Sequence, residues 1–223
     1  MLISPNLLVV AGDCSAAERY TEKLKSIGAA FVIIETPEKL KSLPKHTKYC
    51  GMMVDSDCFE RLSPLNKATI KENALVLPTV KYDCDPETGD LKINKLSYEG
   101  TCMESIDDFV KSCTTSPARS LRCEPRFNIE LNAILGDYLT LITDISKSGC
   151  YIFTIDETLQ LGDEIAFSTT DLGDQTPIVC LIRRKIDWEN EGVVPGIGVD
   201  FLTMTAAQRK NLDALLLRSV TKS

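Results

Sequence analysis

The feature that most constrains this chain is a change of hydrophobic period after Arg126. Phe127, Ile129, Leu131, Ala133 and Leu135 alternate with Asn128, Glu130 and Asn132, which is the period-two pattern of a half-buried strand. Upstream, short apolar runs alternate with amphipathic stretches of helical spacing, the pattern of a parallel sheet covered by helices. One core cannot serve both patterns. The 223 residues are therefore expected to form an α/β half followed by an all-β half.

In the first half, "NLLVVAG", "AFVIIE", "CGMMVDS" and "ALVLPTV" read as strands. Between the first two, Ser15 and Glu18 are spaced as a capping box. Ala17, Tyr20, Leu24 and Ile27 share one helical face, and Gly28 is placed to stop that helix. Thr36 and Pro37 open a second helix, and a third is expected within residues 59 to 73. "KYDCDPETGDLKINK" reads as strand, turn and strand. "SIDDFVK", residues 105 to 111, can close the domain as a helix. "SCTTSPARSL" then has the small and polar composition of a linker. The expected division is 1–111, linker 112–121 and 122–223.

Gly136-Asp137 can turn the first strand of the second half tightly into "YLTLITDIS". "GCYIFTI", "DEIAFSTT", "TPIVCLIRRKID" and "GIGVDFL" follow at the spacing of an antiparallel barrel or sandwich. Thr205 and Gln208 form a capping box for a final helix whose apolar stripe is Leu212, Leu215 and Leu216.

Composition narrows the chemistry. A net charge of -7 disfavours a broad nucleic-acid-binding face, so no DNA or RNA partner is expected, and an anionic ligand needs a local cluster of cations. No apolar run is long enough to span a bilayer, and the opening "MLISPNLLVV" reads as a strand, not a signal peptide. Nine scattered cysteines without paired spacing, and a single histidine, His46, fit buried thiols in a reducing cytoplasm better than disulfides or zinc. Cys14, Cys50, Cys58 and Cys150 have no thiolate-activating neighbour in sequence. No catalytic constellation stands out, and no metal or cofactor is expected. Trp188 reads as a partly buried aromatic at a strand end, and Arg183, Arg184 and Lys185 as a solvated strand face.

Two short motifs flank the first strand of the second half. "RCEPR" places Arg122 and Arg126 four apart around Pro125, and "DISKSG", residues 144 to 149, supplies Asp144, Ser146 and Gly149. Either alone has a bland reading, as solvated charges or as an ordinary side-chain-braced turn. In this order, with "GIGVDF" at 196 to 201, they resemble a PilZ domain over about residues 118 to 220. The resemblance implies a six-stranded antiparallel barrel with a C-terminal helix and a bacterial receptor for cyclic di-GMP. Arg122 and Arg126 would clamp phosphate or guanine, Asp144, Ser146 and Gly149 would complete the pocket, and Arg119 would add a contact. A guanidinium suits this, because it is always charged, planar and able to make paired hydrogen bonds.

The first half resembles a receiver domain of two-component signalling. Asp55 ends the third strand, where that family carries its phosphoacceptor. Asp13 follows the first strand, and Thr79 is expected at the end of the fourth. Gly12 stands where a second acidic residue would be, Lys81 and Lys95 match the family's lysine poorly, and the fourth helix is replaced. The resemblance implies a degenerate receiver. Together the two resemblances imply a cytoplasmic effector. Cyclic di-GMP would order the linker, alter the interdomain arrangement and change what a downstream protein partner reads, with a homodimer also compatible. The alternative is a phospho-receiver acting through Asp55, with the barrel as adaptor.

Overall fold

The computed structural model describes residues 5–12, 21–22, 24–26, 28–44, 47–85, 91–95, 105–189 and 192–222. Asp13, Ser15, Glu18 and His46 lie outside the described residues. The chain divides into two compact units, Met1–Pro125 and Arg126–Ser223.

The first unit is built on a five-stranded sheet in the order β2-β1-β3-β4-β5. Its strands are β1 (Asn6–Val10), β2 (Ala30–Ile34), β3 (Gly51–Asp55), β4 (Thr79–Cys84) and β5 (Leu91–Lys95). The first four pair in parallel, and β5 returns antiparallel to β4. "KYDCDPETGDLKINK" thus holds strand pairing on both sides of residues 86–90, which lie outside the described residues. Both sheet faces are buried, which explains the unbroken apolar runs. Leu7, Val9, Met53 and Val80 pack on one side with Phe109 and Cys113, while Leu8, Val10, Met52 and Val54 pack on the other with Phe59 and Ile70. The first group meets helix α3 (Ile106–Thr115) and the second meets α1 (Ser56–Arg61) and α2 (Pro64–Ala74).

Several local expectations shift. Residues 21–22 and 24–26 are helical, and that helix stops at Gly28, whose φ is 74°. Pro37–Ser42 is a 3-10 helix, not an α-helix. The single helix expected within 59 to 73 is two, because Ser63 caps a new one through the N–H of Asn66 and Pro64 opens it. "ALVLPTV" is not a strand throughout: β4 begins only at Thr79. The helix expected at 105 to 111 runs on to Thr115, with Ser105 accepting from Asp108 N–H at its start.

Residues past that helix are tied to the first unit. Arg119 and Tyr49 exchange backbone hydrogen bonds at 2.8 Å in both directions. The Arg122 N–H donates to Asn73 Oδ1, and Asn73 Nδ2 donates back to the Arg122 carbonyl, each at 2.9 Å. Leu121 and Cys123 pack against the core, and Lys41 pairs with Glu124. The division therefore falls at Pro125, beyond the 121/122 position read from composition, because side-chain amides and apolar contacts hold a segment whose sequence looks like linker.

The second unit contains β6 (Phe127–Leu135), β7 (Tyr138–Ile145), β8 (Gly149–Phe153), β9 (Glu164–Ser168), β10 (Ile178–Ile186), β11 (Gly196–Thr203) and helix α4 (Ala206–Lys222). All six strands pair antiparallel in the order β10-β11-β8-β7-β6-β9, and β9 pairs again with β10, so the sheet closes as a barrel. Period two sorts β6 as expected: Leu131 and Ala133 are buried, and Glu130 and Asn132 are exposed. Gly136, at φ 59°, makes the β6–β7 turn. The Thr205–Gln208 capping box forms, with Thr205 N–H to Gln208 Oε1 at 2.9 Å and Gln208 N–H to Thr205 Oγ1 at 3.1 Å. Leu212 and Leu216 are buried. Burial of a leucine-sized side chain contributes about 1.5–3 kcal/mol. Trp188 is not partly buried as expected: it is 75% exposed.

Candidate functional site

Strand register brings the two halves of the candidate site together. Arg126 immediately precedes β6, and Asp144 lies near the end of β7, opposite Asn128. Arg126 Nη1 thereby stands 3.4 Å from Asp144 Oδ1, with side chains 44% and 24% exposed. Eighteen residues of hairpin separate them in sequence. Such an exposed pair contributes about 0.2–1 kcal/mol.

The turn after Asp144 is built for shape. Ser146 is buried, and both its N–H (2.8 Å) and its hydroxyl (3.2 Å) donate to the Gly149 carbonyl. These bonds brace the turn. Gly149 is needed for close approach rather than for a positive φ. A Cβ there would stand 2.1 Å from the Val199 carbonyl oxygen of the neighbouring strand, inside any tolerable contact. Phe201 N–H donates to Ser148 O at 2.8 Å, fixing the other side of the turn.

A second cation belongs to this surface by register. Asp144 pairs with Tyr151, Tyr151 with Gly198, and Gly198 with Arg184. Burial raises the Tyr151 phenol above its ordinary value, Arg184 opposes this and Asp144 adds to it, so both charges act on one ring. The Tyr151 hydroxyl donates to the Val194 carbonyl at 2.8 Å. Arg183 and Arg184 are exposed, as the solvated-face reading expects, and Lys185 is half-buried. Arg183 pairs with Asp200 at 2.7 Å and Lys185 turns to the Glu157 and Leu159 carbonyls, leaving Arg184 on the row of Asp144.

Arg122 and Arg119 belong to the first unit. The Arg122 guanidinium pairs with Glu72, and its backbone is held by Asn73. Arg119 is exposed and held by its backbone to Tyr49.

Asp55 is used as a helix cap, accepting the Cys58 N–H at 2.6 Å. Its carboxyl is raised above the usual range, chiefly by burial, against the lowering effect of that bond. Thr79 does not end β4 but begins it, opposite Met52, and its hydroxyl donates to Leu77 O at 3.0 Å. Tyr82 is the residue opposite Asp55. Lys81 reaches Glu60 at 3.0 Å and lies over the Phe59 ring. Among the described residues, no group of three or more His, Cys, Asp or Glu side chains could hold a metal ion. The cysteine thiols are pushed up by burial at Cys58, Cys113, Cys123 and Cys150, and to about 12 at Cys180. These are packing groups, not thiolates. Among the described residues, no helix is long and apolar enough to cross a membrane.

The family model described as PilZ domain matches residues 118–218. Among solved structures, the chain is similar to the Bacillus subtilis inhibitor of motility (MotI/DgrA), at 14% identity and a TM-score of 0.39 over 65% of each chain. It is also similar to an uncharacterized Legionella protein, at 17% identity and a TM-score of 0.31, over 44% of this chain and 98% of that one. The chain thus spans 65% of the length of the first of these. No curated protein matches. PilZ domains form a receptor family for cyclic di-GMP, and residues 118–218 of this chain, with their six-stranded antiparallel sheet and C-terminal helix, are a PilZ domain.

Proposed function

We propose that this chain is a cytoplasmic cyclic di-GMP effector and not an enzyme, binding through Arg126, Asp144 and Arg184 on the barrel and through Arg122 from the preceding segment. The observation that carries the reading is the approach of Arg126 to Asp144 across the β6–β7 hairpin. A carboxylate is acceptor-only and suits the N1–H and exocyclic amine of guanine, a donor pair that adenine does not offer. A guanidinium suits phosphate or the O6/N7 edge of guanine. Ser146 and Gly149 hold the turn that aims Asp144, and Arg119 is a further candidate contact. Each charge-assisted contact contributes about 1.5–3 kcal/mol. Three or four support micromolar binding, about 8 kcal/mol, after ordering costs.

Arg122 must exchange Glu72 for ligand. Binding therefore competes with the ties that hold residues 119–124, and this is the physical route by which ligand alters the interdomain arrangement and what a downstream partner reads. The test is isothermal titration with cyclic di-GMP, using GTP and cyclic di-AMP as controls. Selective binding at micromolar affinity or tighter, lost in Arg126→Ala, supports the reading. Absence of heat, with no change in melting temperature, rejects it.

A further inference from the structure

The end of the β6–β7–β8 sheet away from Arg126 and Asp144 carries a second surface. Ile134 pairs with Leu139, and Leu141 lies beside Phe153, whose neighbour Ile152 pairs with Ile142. Ile134, Tyr138, Leu139, Leu141, Phe153 and Ile155 are 38–78% exposed. Tyr138, Leu139, Phe153 and Ile155 line a cavity of about 640 Å³, within the size range of ligand and anchor-residue pockets. A second hollow of about 240 Å³ shares Thr154–Glu157 with it and extends to the exposed Trp188. A contiguous exposed apolar patch of this kind marks an interaction site, and tyrosine and tryptophan are the residues that dominate such contacts.

The rim decides the occupant. Asp137 sits in the turn before Tyr138, Asp156 and Glu157 border the cavity, and Asp171 accepts the Asn132 N–H at 3.0 Å beside Ile134. Bonds from the Thr158 hydroxyl and N–H hold the Asp156 carboxyl below its usual range, so it is charged at neutral pH. Lys185, the cation nearby, directs its ammonium to the carbonyls of Glu157 and Leu159 and to Asp187. Two copies meeting through this patch would set acid against acid, and an anionic membrane would meet the same repulsion. We infer that this surface docks a protein partner through an amphipathic helix whose apolar side chains enter the cavity and whose flanking lysines or arginines meet the acidic rim. This inference stands apart from cyclic di-GMP binding and uses none of the residues assigned to it.

The probe is a fluorescent amphipathic peptide of leucine and lysine, titrated by anisotropy into the full chain, with its leucine–glutamate counterpart as control. Binding of the lysine peptide is expected to weaken at least about tenfold in Leu139→Glu and in Ile155→Glu, both outward-facing positions, with circular dichroism unchanged. Asp156→Asn combined with Glu157→Gln is expected to flatten the salt dependence of what binding remains. Equal binding by the variants, or equal binding of the glutamate peptide, overturns the inference. Two further results also overturn it: a dimer in sedimentation that Leu139→Glu dissociates, which would make a second copy the occupant, and anionic-vesicle binding lost in the same variant, which would make it a membrane.

Discussion

Asp55 and Asp144 both stand at the ends of strands, one in each unit, and both are carboxylates to which the sequence motifs point. Their surroundings separate them. Asp55 accepts a backbone N–H of the helix that follows it, at 2.6 Å, and is spent on holding that helix start. Asp144 faces a half-exposed guanidinium at 3.4 Å. One oxygen of the Asp55 carboxylate is committed to a helix cap, whereas the Asp144 contact is with a half-exposed cation. A strand-end carboxylate is therefore no sign of chemistry until its present partner is known.

The strongest challenge to this contrast removes the turn that aims Asp144. Gly149→Ala places a Cβ against the Val199 carbonyl at 2.1 Å and is expected to cost about 3 kcal/mol through overpacking, read from the urea midpoint of the barrel transition. Next in size, Arg126→Ala and Asp144→Ala are each expected to weaken cyclic di-GMP about 10- to 100-fold by calorimetry, corresponding to about 1.5–3 kcal/mol. Melting temperatures should change little, because the pair itself is exposed. Unchanged affinity in both would dissolve the distinction between the two carboxylates.

On the other side of the comparison, Asp55→Ala is expected to cost about 1 kcal/mol as a lost cap, and Asp55→Asn almost nothing, since asparagine caps equally well. Acetyl phosphate with magnesium should add no mass at Asp55, and a phosphate adduct absent from Asp55→Asn would revive the phospho-receiver. The pH dependence has a definite sign. The folded carboxyl is raised by burial, so its contribution to stability is fully present below the unfolded value and is lost as pH rises through the folded one. Asp55→Asn should flatten that acid-side slope in melting temperature. The smallest effect is expected from Glu72→Gln. It weakens the partly exposed Arg122–Glu72 pair and should tighten cyclic di-GMP by no more than about fivefold, about 1 kcal/mol.

Much of this molecule was legible because the signals are local. The change of period after Arg126 separated the two fold classes, Gly136 marked a hairpin, and Thr205 and Gln208 marked a helix start, each through bonds between near neighbours. The strap at 119–124 was not legible. Its anchors, Asn73, Glu72 and Tyr49, are distant in sequence, and small polar residues look like linker whether or not something holds them. Thr79 was misplaced for a related reason. "ALVLPTV" is apolar enough for a buried strand, but its first residues close α2 and its turn, which moves the hydroxyl to the wrong end of β4 for Asp55.

Local pattern carried the inventory: an α/β half, an all-β half, and an arginine pair followed by an aspartate, serine and glycine at hairpin spacing. Hydrophobic period and turn chemistry act over a few residues, so they can be read without coordinates. Which side chain partners which came from the folded arrangement. It set Arg126 against Asp144, Arg122 against Glu72 and Asp55 against its own helix, and it put Arg184 on the row of Asp144. It also left Leu139, Ile155 and Trp188 facing outward. Those outcomes depend on strand register and on which side chains meet after the chain has closed on itself, and period and composition carry no record of either.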